Sequence, residues 1–78
     1  MRLTKDQREI AELVLVGASN HDISIRLNKS ELDVHRELRE LYETAGVTTA
    51  IGPYSRVLLA LSLYKRRVEF GISNAGVL

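Results

Sequence analysis

The 78-residue chain contains no cysteine. Neither a disulfide nor a thiolate metal site can therefore staple the fold. It also has no sustained period-2 alternation and no Asn-Gly or Asp-Gly hairpin pair, so strands are not expected. Its longest apolar run, Val57–Tyr64, falls far short of the roughly 18–20 residues that span a bilayer. No apolar h-region follows the charged Met1–Arg8 stretch, so a secretory leader is not expected and the chain reads as cytoplasmic. A strong excess of one charge is missing too. The formal net charge is +1, without the basic surplus typical of non-specific nucleic-acid binders.

The remaining composition is that of one small globular domain. Hydrophobic residues make up 45% and charged residues 27%, a balance that argues against disorder. A domain of this size with no staple relies on tight helix packing or oligomerisation, which points toward a dimer. Charge is unevenly distributed. Across residues 21–45, Arg26, Lys29, Arg36 and Arg39 are set against Asp22, Glu31, Asp33, Glu37, Glu40 and Glu43, a formal −2. Across residues 46–78, Arg56, Lys65, Arg66 and Arg67 outweigh Glu69, a formal +3.

Helix signals occur four times. Thr4-Lys5-Asp6-Gln7 is a capping box, followed by an apolar face of Leu3, Ile10, Leu13 and Val14 that Gly17 ends. Ser19 caps a second helix with Asp22 three residues on, and Ile23 and Leu27 form its short apolar face. Asn28-Lys29 is a turn. Ser30 caps a third helix with Asp33 at its third position, and Val34, Leu38, Leu41, Tyr42 and Ala45 make a stripe of 3.6-residue period. Gly46 closes it.

Residues 48–52 form a connector, and Pro53 suits the first turn of a fourth helix. That helix is apolar on two sides: Tyr54, Val57, Leu58 and Leu61 on one, Leu59, Leu63 and Phe70 on the other. A four-helix domain can cover only one such side. The other is expected to be a subunit interface, assigned to Val57, Leu58, Leu61 and Tyr64.

The second and third helices have the layout of a helix-turn-helix, in which the first braces the second and the second enters the major groove. Further residues sharpen the likeness: Leu3-Thr4, Arg8-Glu9-Ile10, Gly17-Ala18-Ser19-Asn20, Ile23, Leu27, Ser30, Val34, Leu41-Tyr42 and Gly46-Val47. In this order and spacing they resemble the LuxR/GerE-type helix-turn-helix domain over roughly residues 3–47, without a gap. The resemblance implies an all-α, four-helix domain with an extended C-terminal helix. It also implies a dimeric transcription regulator that binds duplex DNA, with the fourth helix as the dimer contact. The expected boundaries are a domain over 1–71, a helix-turn-helix pair over about 19–45, a fourth helix over about 53–68 and a tail over 72–78.

The chain departs from the family pattern in its third helix. Asp33-Val34-His35 stands where the family usually has Thr-Val-Lys, and Glu37 where it has His or a neutral residue. Thr44-Ala45 replaces Lys-Leu. Ala50 takes the position of a family Arg, and Ile51–Tyr54 looks like a short insertion.

Candidate DNA-contacting residues are Lys29, Ser30, Asp33, His35, Arg36, Arg39 and Glu40. Arginine suits bidentate guanine contact, and a carboxylate accepts from cytosine N4. The plainer reading is a solvated helix surface laced with Asp33–Arg36, Arg36–Glu40 and Arg39–Glu43 pairs. On that reading the fold is a protein-interaction module, an anti-activator or co-regulator that binds another regulator or RNA polymerase. Lys65-Arg66-Arg67 is either a phosphate clamp or a complement to its helix dipole. His21 and His35 lie on different helices without cysteine or paired carboxylates, so no metal is expected. No nucleophile triad, glycine-rich nucleotide loop or convergent carboxylate pair is present, and neither catalysis nor a cofactor is expected.

Overall fold

The computed structural model of the chain describes residues 3–49 and 52–72. They form five helices: α1 (Lys5–Leu15), α2 (Asn20–Leu27), α3 (Glu31–Ala45), α4 (Tyr54–Lys65) and a single turn, α5 (Arg67–Phe70). Among the described residues there is no strand. Nor, among these residues, is any helix long and apolar enough to cross a membrane.

The helix starts follow from side chains that satisfy otherwise unpaired amides. Thr4 Oγ1 accepts from the Gln7 amide at 3.1 Å, and the Thr4 amide donates to Gln7 Oε1 at 2.9 Å. Ser19 and Asp22 form the same reciprocal pair at the start of α2, at 3.1 and 3.2 Å. Ser30 Oγ caps α3 by accepting from the Asp33 amide at 3.1 Å. Between α2 and α3 the chain turns on Asn28, in the left-handed region at φ 54°. Asparagine tolerates that region better than most residues. The turn is closed by the Lys29 amide donating to the Ser24 carbonyl at 2.9 Å.

One apolar core joins all five helices. Ile10, Ile23, Val34, Leu41, Leu59, Leu63 and Phe70 are its large, fully buried side chains. The α3 stripe behaves as its spacing predicts: Val34, Leu38, Leu41 and Ala45 are buried and Tyr42 is half-buried. Burial of a Val34, Leu38 or Leu41 side chain contributes about 1.5–3 kcal/mol.

The C-terminal region differs from expectation in two ways. The fourth helix does not run continuously to residue 68. It stops after Lys65, where Arg66 adopts φ −108° and ψ 21°, and α5 continues in a new direction. The break returns Phe70 and Ile72 to the core, 0% and 6% exposed, while Val68 points outward. Ile72, expected to begin a tail, is therefore a core residue. The rest of that expected tail, 73–78, lies outside the described residues, as do Ala50, at the position of a family Arg, and Ile51 of the expected insertion.

Candidate nucleic-acid interface

Helix α3 is held by α2 on one side and by α1 and α4 behind it. Ile23 of α2 and Val34 of α3 are fully buried, and the Asn28 turn keeps the two helices close. Burial of the Val34–Ala45 stripe leaves Leu32, Asp33, His35, Arg36, Arg39, Glu40 and Glu43 of α3 exposed. His35, Arg36 and Arg39 therefore stand clear of the core.

On one flank of this face lies a shallow cleft of about 230 Å³ lined by Lys29, Asp33, Arg36 and Glu37. Its charges are matched. The Lys29 ammonium donates to Glu37 Oε1 at 2.9 Å and to Asp6 Oδ2 of α1 at 3.4 Å. The Glu37 hydrogen bond is the main reason the lysine is held above its ordinary range. Glu37 is turned toward the protein, and its second oxygen is buried without a partner. Arg36 Nη1 lies 3.5 Å from Asp33 Oδ1, with both side chains more than half exposed. Lys29, expected to reach a DNA phosphate, is thus engaged by α1 and α3. The Ser30 hydroxyl, expected to do the same, accepts the cap hydrogen bond.

On the other flank lies a cleft of about 360 Å³ with a different character. Asn20 of α2, His35, Leu38, Arg39 and Tyr42 of α3, Thr49, and Arg56 of α4 line it. Among the described residues no carboxylate does. Arg56 is fixed from two sides: Nη1 donates to Asn20 Oδ1 at 2.6 Å and Nη2 donates to the Ala18 carbonyl. The Tyr42 phenol is pushed above its usual range by burial, an effect the nearby Arg56 charge opposes. The side chains of His35 and Arg39 form no hydrogen bond or ion pair among the described residues.

Several sequence expectations change at this level. Of the three acid–arginine pairs expected along α3, only Asp33–Arg36 forms among the described residues. His21, though largely exposed, has its Nδ1 3.1 Å from Glu31 Oε2, linking the starts of α2 and α3. Two of the three basic residues near the end of α4 act locally. Arg66 pairs with Glu69 at 3.0 Å and stacks over the Phe70 ring at 4.3 Å. Arg67 lies over the Tyr64 ring at 4.4 Å and donates to the Tyr64 carbonyl. No group of three or more potential metal ligands occurs among the described residues.

Arg56 and Thr49 were not singled out by sequence reasoning, and Asn20 entered only through the Gly17–Asn20 element of the resemblance, not as a site residue. Arg56 sits amid apolar residues of α4 and carries no motif. Only the packing of α4 against α1 and α3 brings it into the cleft that Arg39 lines.

The second apolar face of α4 is uncovered in the monomer. Val57, Leu58, Leu61 and Tyr64 are 56, 41, 51 and 44% exposed, while Leu59 and Leu63 on the opposite side are fully buried. A groove of about 450 Å³ runs beside Leu58 and Leu61, floored by Gly46 and Val47. Comparison of the chain with protein-family models, with curated proteins and with solved structures finds no match.

Proposed function

We propose that this chain is a cytoplasmic, non-catalytic transcription regulator that binds duplex DNA through the outward face of α3 and acts as a homodimer joined through α4. The observation that carries the reading is the exposure of His35, Arg36 and Arg39 on a helix braced by α2 through a tight turn. An α-helix fits the major groove, and guanidinium groups read guanine there.

The carboxylates of α3 bear on strength rather than on possibility. Glu37 is drawn back by Lys29, which removes one carboxylate from the approaching phosphates. Glu31, Asp33, Glu40 and Glu43 stay exposed; they weaken non-specific binding and raise selectivity at a cost in affinity. A single domain of this kind binds weakly, so the dimer supplies the second set of contacts. The exposed apolar row on α4 supports self-association, since contiguous apolar patches on small soluble domains mark contact surfaces.

A second reading is a protein-interaction module that keeps the shape without binding DNA. It is favoured by Leu32, which is 67% exposed near the start of α3 amid acidic neighbours. A mobility-shift series at low salt with genomic fragments separates the two. The regulator reading expects retardation by the wild-type chain, and loss of the preference for its strongest fragment in Arg36→Ala with the helical spectrum unchanged. Failure of the wild-type chain to retard any fragment would sink it.

A further inference from the structure

We infer that the cleft between α2, α3 and the start of α4 is a phosphate seat, in which Arg39, His35 and Arg56 hold one backbone phosphate of the duplex. The inference rests on the DNA-binding reading and divides the labour within it: Arg36 meets base edges while Arg39 meets the backbone.

The contrast between the two flanks of α3 is the ground for it. On the Lys29 flank every cation has a carboxylate partner at 2.9 to 3.5 Å. On the Arg39 flank two guanidinium groups and an imidazole line one concavity with no described carboxylate among them. Like charges gathered in a concave, partly desolvated site repel one another and attract an anion. Phosphate is the anion whose geometry suits a guanidinium fork, through paired N–H···O bonds.

Arg56 is already positioned for the task. A guanidinium has five N–H donors, and here Asn20 and the Ala18 carbonyl use one on each terminal nitrogen. The remaining donors keep a fixed direction, so binding orders little that was free. Among the described residues Arg39 has no competing partner to leave, and Thr49 and Tyr42 add hydroxyls to the same lining. The position along α3 fits as well. Docking by this motif brings the first turns of the second helix to the bases while the first helix crosses the backbone. Arg39 lies one turn beyond Arg36, on the side where α2 begins.

The test has two arms on the full chain. In the first, affinity for a preferred and a random duplex is measured across a salt series. Arg39→Gln is expected to weaken both duplexes by the same factor and to make the log–log salt dependence shallower by about 0.9 per bound chain. Arg36→Gln is expected to weaken the preferred duplex selectively. An unchanged slope in Arg39→Gln, or a change in its base preference, overturns the phosphate assignment.

In the second arm, inorganic phosphate is titrated against chloride of matched ionic strength, with the arginine Nε–H and His35 ring signals followed by NMR. Arg39, Arg56 and His35 are expected to shift together, and Arg39→Gln to abolish the response. Silence of these signals overturns the seat whatever the DNA result. A clear phosphate response without retardation of any duplex leaves the anion site standing and removes the DNA-binding reading. Arg39 is exposed, so circular dichroism of Arg39→Gln is expected to match the wild-type spectrum.

Discussion

Helices α3 and α4 pack against the same core yet turn opposite kinds of surface outward. Behind α3, burial of Val34, Leu38, Leu41 and Ala45 leaves a face of charges. Behind α4, burial of Leu59 and Leu63 leaves Val57, Leu58, Leu61 and Tyr64 exposed. Folding accounts for the buried face of each helix and for neither outer one. The outer faces differ in what they suit: a charged face tolerates water and meets a polyanion, whereas an apolar face gains free energy only by leaving water.

The largest expected effect separates the two sides of α4. Leu59→Ala removes a fully buried side chain and is expected to lower unfolding free energy by about 2–5 kcal/mol. Leu61→Ala, measured at concentrations that keep the chain monomeric, is expected to stay within about 0.5 kcal/mol of wild type. Urea denaturation of both variants checks this; equal costs would mean that α4 buries the wrong face.

Leu61→Asp comes next and asks what covers the outer face. A charge on an apolar contact surface loses its water without gaining a partner. The expected result by light scattering is a dimer for the wild-type chain and a folded monomer for the variant. A variant that stays dimeric removes α4 from the interface.

A smaller effect is expected at the start of α3. Ser30→Ala removes the acceptor for the Asp33 amide and is expected to destabilise the domain by about 1 kcal/mol. The capping hydroxyl keeps an O–H that can donate to a phosphate, so DNA affinity per folded molecule is measured alongside. A loss of binding beyond the loss of stability marks Ser30 as a DNA contact, and unchanged affinity confines it to the cap.

The weakest effect is on pH dependence. Hydrogen bonds from the Ser19 backbone and side chain hold the Asp22 carboxyl below its ordinary range, and Arg66 does the same for Glu69. Carboxyls with depressed values stabilise the fold above their unfolded pKa and lose that contribution as pH falls through the folded one. The melting temperature is therefore expected to decline below about pH 4, less steeply in Asp22→Asn. Lys29, raised chiefly by Glu37, works in the opposite direction. Its contribution is present below the unfolded lysine value and lost as pH rises beyond it, above about pH 10.4. Thermal melts across pH check both ends.

Much of the local structure is readable in the chain order. Thr4 with Gln7, Ser19 with Asp22, and Ser30 mark three helix starts because capping acts within a few residues. The α3 stripe follows from helical periodicity alone. The break at Arg66 is not readable: Lys65-Arg66-Arg67 contains no helix breaker, and the chain bends there to bring Phe70 and Ile72 into the core. The pairing of Lys29 with Glu37 and Asp6 was equally hidden. Spacing along α3 proposes neighbours on one helix but cannot register a cation from the preceding turn or a carboxylate from α1.

The order of residues decides, through short-range hydrogen bonding and apolar period, where helices begin and that α4 has two apolar sides. Which of those sides is buried, and that Arg56 comes to line one cleft with Arg39, is decided only once the helices dock. The reason is one of range. Caps and stripes are set within one or two helical turns, whereas burial and charge pairing depend on which distant segments meet, and long-range packing alone determines that.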